Sequence, residues 1–484
     1  MRIGKHKITE VVEQSLYEVR KNIYARSVKG LFSSWRIIFI FLTQILYYGL
    51  PWINWNGRQA VLFDLIQRKF YIFGLVLWPQ DVIYLTALLI LSAFSLFLFT
   101  TIAGRLFCGY VCPQTVYSQM FMWIEHWIEG DRFARIRLDE QKWPWNIKKW
   151  RTKLSKHSLW LVISFLTGFT FIGFFTPIRE LSKHFLELTL GPWQLFWFLF
   201  YSFATWGNAG FMREQVCKYM CPYARFQSVM VDQDTFVVTY DKLLGEPRGA
   251  RNKASDQLQL GLGNCVNCSI CVQVCPTGID IRNGLQYMCI GCGACIDACN
   301  QVMEKINYPQ GLIRYTSERA MLNRESSNLI LRNLTRPRVL IYSLLIVICS
   351  IIFIKTLTTR NPLRVDVMRD RGSLGRVVQG GQIIENVYRL QIMNVSERAM
   401  TVSLQAVGLD NLKVLDSTGK GFNNLVIKPV SNLLIPIKIT LENTNQAANI
   451  YPIHIRIVGI YPQNSSIYEE TVINEKSSFI IPKF

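Results

Sequence analysis

Histidine is scarce in this chain, and acidic residues are outnumbered. The five histidines, His6, His126, His157, His184 and His454, are scattered singly among 484 residues, with no pair at haem-ligating spacing in any apolar run. That argues against internal haem. Lys and Arg number 53 against 33 Asp and Glu, a net charge of +20. Such an excess can mark nucleic-acid binding, but here it is unevenly placed: 8 basic residues lie in 1–36 and 10 in 105–158, against 3 in 51–81 and 2 in 178–192. The pattern fits membrane orientation without any nucleic-acid partner. No cysteine follows Cys349, so a C-terminal domain has to be held by its core alone. A secretory signal is not expected either, because the first apolar run follows 36 largely polar, basic residues, far more than a normal n-region. Thirteen cysteines without a secretory signal argue against disulfides.

Apolar residues are abundant, at 50% of the chain with 13% aromatic. A chain of this length exceeds one core, and two or three units are expected. Five apolar stretches stand out, at 37–53, 82–102, 159–177, 193–211 and 339–354. Each lies near the roughly 20 residues that cross a bilayer. The run 70–78 is too short to span and is expected in the interface. Tyr47, Tyr48, Trp52, Trp55, Trp78 and Tyr84 sit where the first two spans should meet water. The basic segments place the N-terminus and residues 105–158 in the cytoplasm, the cysteine-rich segment with them, and residues 361–484 outside. The fifth stretch has Arg336 and Arg338 before it and Arg364, Arg369 and Arg371 after it, so its local charge does not decide its direction.

Eight cysteines fall into two copies of one spacing. The first is Cys265-x2-Cys268-x2-Cys271-x3-Cys275-Pro276, and the second is Cys289-x2-Cys292-x2-Cys295-x3-Cys299-Asn300. A cubane iron–sulfur cluster needs four thiolates converging from different directions. In the two-cluster bacterial arrangement the fourth cysteine of each run ligates the other cluster. One 4Fe-4S cluster is therefore assigned to Cys265, Cys268, Cys271 and Cys299, and the second to Cys289, Cys292, Cys295 and Cys275. Gly291 and Gly293 let backbone amides approach the second cluster. Asn300, where proline is usual, departs from the pattern. Zinc takes C-x2-C pairs with longer gaps between them.

Four further cysteines form two matched pairs, Cys108-Gly-Tyr-Val-Cys112-Pro113 and Cys217-Lys-Tyr-Met-Cys221-Pro222, each just after an apolar stretch. With an aromatic five residues on, at Tyr117 and Phe226, span and motif form an internal repeat. A residue before proline is pushed out of the helical region, and proline favours the first helical position. Cys112 and Cys221 are thus predicted to begin new helices, where the macrodipole lowers a thiol pKa. If the two half-sites face each other, Cys108, Cys112, Cys217 and Cys221 form a redox or metal-binding quartet suited to Cu(I), zinc, a further iron–sulfur cluster or dithiol–disulfide cycling. The alternative is helix-packing cysteines, as taken for Cys349. Met120, Met122, Met212, Met220 and Met230 crowd the same region. They are copper thioethers or packing filler. His126 lies fourteen residues past Cys112, about 21 Å along a straight helix, too far to share a metal unless the chain turns back.

The expected fold is a multi-domain membrane protein. Residues 1–36 form a cytoplasmic segment, and 37–211 a four-span α-helical membrane domain with the first C-x3-C-P motif after the second span. Residues 212–338 hold the second motif and an inserted two-cluster ferredoxin-like α+β domain at about 255–310, entered through a Gly-, Arg- and Lys-rich linker at 245–263. The fifth span is 339–356, giving a bundle of about five spans. Beyond 361, apolar and polar residues alternate in the runs 387–393, 400–407, 433–441 and 450–460, which reads as an all-β immunoglobulin-like sandwich. No catalytic constellation shows in it, so it is taken as a docking or spacing module.

The basic N-terminus, the segment G-R-L-F-C-G-Y-V-C-P-Q-T-V-Y at 104–117, the second motif at Cys217–Pro222, the paired ferredoxin runs and the sandwich tail together resemble the cytochrome c oxidase accessory family known as CcoG, FixG or RdxA, polyferredoxin-like membrane proteins. The tail separates it from the quinol dehydrogenase subunits of periplasmic nitrate reduction, which share spans and cysteines. The resemblance implies a bacterial inner-membrane protein that helps to mature cbb-type cytochrome oxidase by reducing Cu(II) to Cu(I). The eight ferredoxin cysteines would hold two 4Fe-4S clusters, and Cys108, Cys112, Cys217 and Cys221 would be the catalytic thiols that meet copper. Partners would be oxidase subunits or copper-handling proteins, with a soluble or quinol electron donor. Two other readings are a non-catalytic assembly factor or oxygen sensor, and a quinol-linked electron-transfer subunit.

Overall fold

Helices form over the apolar runs, some of them extending into the polar residues alongside. A computed structural model describes residues 22–251, 261–322, 333–369, 375–378, 382–422, 424–442, 447–464 and 467–482. The first helices are α1 (Leu31–Gly49), α2 (Val82–Ala103), α3 (Leu106–Tyr110), α4 (Pro113–Glu129), α5 (Arg132–Glu140), α6 (Ile147–Gly173), α7 (Ile178–Leu186), α8 (Pro192–Thr205) and α9 (Pro222–Met230). After them come α10 (Lys242–Gly245), α11 (Ile270–Gln273), α12 (Ala294–Lys305), α13 (Glu318–Leu322) and α14 (Pro337–Thr358). Among the described residues, three helical segments are long and apolar enough to cross a membrane: Leu31–Trp52, Pro79–Ala103 and Pro337–Thr358. The third and fourth expected spans are helical over part of their length but are not among these three. Residues 159–173 are the second half of α6, whose first half carries Lys148, Lys149, Arg151, Lys153 and Lys156. The stretch 193–211 is α8 followed by a π-helical turn, Trp206–Met212.

Two units divide the chain, one of Met1–Ile45, Leu96–Gly168 and Phe196–Tyr342, the other of Leu46–Ser95, Phe169–Leu195 and Ser343–Phe484. In the first unit, α4, α5 and α6 meet around buried charge. Glu125 on α4 pairs with Arg135 of α5 at 3.1 Å and with Arg213 at 2.6 Å, and Glu129 takes Lys153 at 2.8 Å and Lys156 at 2.9 Å. Buried carboxylates persist only when so compensated. Beside them Phe121 stacks on Trp160 with ring centres 4.9 Å apart, and Lys156 lies over the same indole at 4.8 Å.

The cysteine-rich segment of this unit is α+β. Strand β6 (Val237–Tyr240) pairs antiparallel with β7 (Ile313–Thr316), and Ile296 and Met303 of α12 join Val238, Tyr240 and Ile313 in one core. The expected linker at 245–263 is stitched at its described ends: Gly263 donates to the Pro247 carbonyl at 2.8 Å, and Gly249 to that of Cys265 at 3.2 Å. Its middle, 252–260, lies outside the described residues.

In the second unit, residues 54–77 form short strands, β1 (Asn54–Trp55) with β2 (Arg58–Gln59), and β3 (Val61–Asp64), β4 (Lys69–Ile72) and β5 (Leu75–Leu77) in sequence. The run 70–78 is therefore sheet, with Tyr71 and Val76 buried. The tail is a sandwich built from β8 (Leu363–Arg369), β9 (Arg376–Val378), β10 (Ile383–Asn394), β11 (Met400–Val407), β12 (Lys413–Leu415), β13 (Leu425–Ile427), β14 (Ser431–Glu442), β15 (Ile450–Asn464) and β16 (Ile467–Ile480). Among the described residues, one sheet runs β12-β14-β10-β8 with β9 beside β10, and the other β13-β11-β15-β16. Alternate residues face inward, so that Ile384, Tyr388, Leu390 and Ile392 of β10 meet Val402, Leu404, Ile455 and Ile457. The Tyr388 hydroxyl donates across the sandwich to the Ser478 carbonyl at 2.8 Å.

Candidate iron-sulfur centre

The eight ferredoxin cysteines line two cavities, each bordered by three cysteines of one run and the last cysteine of the other. Cys265, Cys268, Cys271 and Cys299 line one, closed by Val302, Met303, Leu312 and Ile313. Cys289, Cys292, Cys295 and Cys275 line the other, among Val238, Ile279, Ile281 and Ile290. Cys271 borders both, so the two share a wall. Their mutual influence follows the same grouping: Cys271, Cys265 and Cys268 raise the Cys299 thiol pKa after burial, and Cys292, Cys289 and Cys275 raise that of Cys295, with Cys271 of the shared wall after them.

Local sequence explains the geometry. Cys275-Pro276 follows directly on the end of α11, whereas Asn300 lets α12 run on past Cys299 to Lys305. Its side-chain oxygen accepts from the Gly311 amide at 3.0 Å, which ties down the loop ahead of β7. Gly291 and Gly293 adopt φ of +64° and +73°, left-handed backbone that turns the loop into α12 and that a side chain would strain.

The donor set suits a polynuclear cluster. Burial pushes the Cys289 and Cys299 thiols up to about 12 and Cys271 to about 11. Such thiols stay protonated unless metal takes the place of the proton. Among the described residues no three His, Cys, Asp or Glu side chains come close enough to share one metal ion, those of the second cysteine set included. All thirteen cysteines are unbridged.

The second set of cysteines lies against the second cage. Cys112 and Cys221 are N-caps of α4 and α9, with ψ of 126° and 111° and proline at the first helical position, as predicted. Cys108 sits on α3, and Cys217 on a π-helical turn, Val216–Met220. The four thiols are electrostatic neighbours: Cys112 and Cys217 act on Cys108, and Cys112 and Cys221 act on Cys217. Burial raises Cys108 to about 12 and Cys217 to about 11, so these two members of the quartet are held as thiols. Desolvation of these two outweighs the nearby Arg105 cation. Met122 shares a small crevice with Cys217. His126 stays apart, 3.2 Å from Asp131.

Several residues of this site escaped the sequence reading. Cys108 packs into one core with Cys292, Cys295, Ala294 and Ala298. A Cβ on Gly109 would lie 2.8 Å from the Ile290 carbonyl oxygen and 3.1 Å from Cys292 Cα, so only glycine allows this approach. The Tyr110 hydroxyl donates to the Cys292 carbonyl at 3.3 Å, and that of Tyr315 to the Gly291 carbonyl. Arg105 bears on Cys108, Cys217 and Cys289 alike. The signal was present in the run R-L-F-C-G-Y, but nothing local says what its glycine and tyrosine touch.

Relatives show the same organisation. A 4Fe-4S dicluster domain matches residues 212–318, a 4Fe-4S binding domain matches 85–130, and the IG-like fold at the C-terminal of FixG matches 353–482. The nitrogen fixation protein FixG of Rhizobium meliloti is 36% identical over 433 residues, covering 82% of this chain and 81% of that one. This chain belongs to the FixG family. Within it, RdxB and RdxA of Cereibacter sphaeroides are 39% and 38% identical, covering 78% and 80% of this chain and 80% and 82% of theirs. A solved FixG-related protein from Vibrio parahaemolyticus, 22% identical, aligns with 26% of this chain and 99% of its own at a TM-score of 0.21. This FixG-family chain is thus an iron–sulfur redox protein of the membrane, with a C-terminal immunoglobulin-like domain.

Proposed function

We propose that this protein is a multi-pass protein of the bacterial inner membrane that reduces Cu(II) to Cu(I) for the copper site of a cbb-type cytochrome oxidase. The observation that carries the reading is adjacency. The quartet thiol Cys108 shares a core with the cage ligands Cys292 and Cys295, and Gly109 rests on the backbone between Ile290 and Cys292. Bound by the eight cysteines, 4Fe-4S clusters supply one-electron transfer, and reducing Cu(II) takes one electron and no proton.

The chain's own residues receive the metal. At neutral pH Cys108 and Cys217 keep their protons, which an arriving copper ion displaces to water. Soft sulfur then favours Cu(I) over Cu(II), so the product state is the one the quartet accepts. Met122, beside Cys217, offers a thioether of the same preference. Arg105 fixes a positive charge between quartet and cage while its guanidinium bonds the Ala224 carbonyl. The N-terminus and cages face the cytoplasm in this reading. The sandwich faces the periplasm, where it docks oxidase subunits or copper-handling proteins.

Anaerobic stopped-flow of the reduced protein against Cu(II) tests the proposal. Rapid reoxidation of the iron–sulfur absorbance is expected, slowed when Cys108, Cys112, Cys217 and Cys221 are all changed to serine. Equal rates in the two proteins would rule out thiol-mediated reduction and favour a non-catalytic assembly role.

A further inference from the structure

A cleft of ≈ 830 Å³ opens on the first unit beside both cages, within the roughly 300–1,000 Å³ of small-molecule sites. Its lining is mostly apolar, with Val237, Leu243 and Leu285 among the contributors. Two residues of its wall belong also to the cages: Cys289 lines the second, and Tyr240 borders the first. The Tyr240 hydroxyl bonds Glu246 at 3.3 Å, and the ring is 4% exposed. None of Cys108, Cys112, Cys217 and Cys221 lines this cleft.

Position and charge restrict what could bind. Arg105 on the wall lies two residues past α2, and Asp232 on the wall bonds Arg336, one residue before α14, at 2.7 Å. Arg336 also bonds the Thr101 carbonyl at 2.6 Å, and Asn333 bonds that of Ile102 at 3.2 Å. The cleft is thereby tied to the ends of two of the apolar helices. Its wall carries three carboxylates, Asp232, Asp241 and Glu318, against two cations, Arg105 and Lys242. Arg314 behind the wall is engaged by Asp241 at 3.0 Å. That balance disfavours a phosphate-bearing donor such as a flavin nucleotide or a nicotinamide dinucleotide, which needs cations to spare. An uncharged, flat headgroup on an apolar tail meets both conditions.

We infer that this cleft binds the headgroup of a membrane quinol and is where electrons are taken up. The inference deepens the proposed function, since it rests on the eight cysteines holding two clusters. Oxidation of one quinol to quinone breaks two O–H bonds and releases two electrons and two protons. Clusters held by the eight cysteines would each take one of those electrons, and the protons leave to water at the open mouth.

The test uses the full-length protein in lipid nanodiscs under anaerobic conditions, with two probes. A short-chain azidoquinone should label peptides from 231–243 or 284–291, and excess unlabelled quinone should suppress the label. Decylubiquinol should bleach the iron–sulfur absorbance. Leu243 and Leu285 are 64% and 52% exposed, so Leu243→Glu with Leu285→Glu leaves the fold and the dithionite-reducible absorbance intact. The double variant should slow quinol bleaching about tenfold or more, since a charge opposes an apolar headgroup. Labelling without quinol bleaching of dithionite-reducible clusters overturns electron uptake at the cleft. No competed labelling there overturns the inference whether or not clusters are present. Protein that neither bleaches with quinol nor holds dithionite-reducible clusters indicts the parent reading instead, and the labelling arm still decides the cleft.

Discussion

Each cage draws its fourth cysteine from the other run, Cys299 lying 28 residues past Cys271 and Cys275 lying 14 before Cys289, and the exchange shows at single thiols. Cys299 has Cys271, Cys265 and Cys268 for neighbours, and Cys295 has Cys275. Cys299→Ser should therefore remove the same low-temperature EPR signal as Cys265→Ser, with iron falling from about eight to about four per chain. Loss of the signal that Cys295→Ser removes would contradict the exchange. These ligands were legible because spacing alone constrains a cubane. Gly109 and Tyr110 were not, since their partners Ile290 and Cys292 lie about 180 residues away and only tertiary contact reveals them. The quartet shows a different limit: the capping role of Cys112 and Cys221 followed from proline, but the burial that raises Cys108 and Cys217 comes from tertiary packing that no local motif announces.

Among elements, those with a long repeat were readable and short ones were not. Strands β10, β11, β14 and β15 follow the two-residue alternation of the tail. The strands of 54–77 are two to four residues long, too short for any period to show. Helix α6 begins at Ile147, twelve residues before the apolar stretch, because its first half is basic and turned to Glu129 and Asp139 of α4 and α5. That joint predicts a pH dependence. Burial raises the Glu125 carboxyl pKa, but Arg213, Lys156 and Arg135 together hold it below its usual value. A depressed carboxylate contributes stability above its unfolded pKa, near 4.3, and the contribution disappears as pH falls through the lower folded value. Thermal melts of the detergent-solubilised protein should lose stability below about pH 4.3, and Glu125→Gln should flatten that dependence while costing about 3–5 kcal/mol. An unchanged acid slope in Glu125→Gln would remove Glu125 from the account.

At the scale of the molecule, membrane character and the order of parts follow from composition, and helix length from the structure. Three described helices satisfy both tests for crossing a bilayer, while α6 and α8 occupy the third and fourth of the five expected stretches. The proposed orientation is tested at Ser417, an exposed turn residue of the sandwich. Ser417→Cys should react with a membrane-impermeant thiol reagent in cells whose outer membrane has been permeabilised. Protection there, with the sandwich shown folded, would place the tail on the other side. The central claim is that eight cysteines hold two exchanged cubane clusters beside a thiol quartet. Iron and acid-labile sulfide analysis with low-temperature EPR on anaerobically purified full-length protein tests it most directly. About eight irons with matching sulfide, and two interacting signals on reduction, are predicted; colourless protein without iron or sulfide would contradict it.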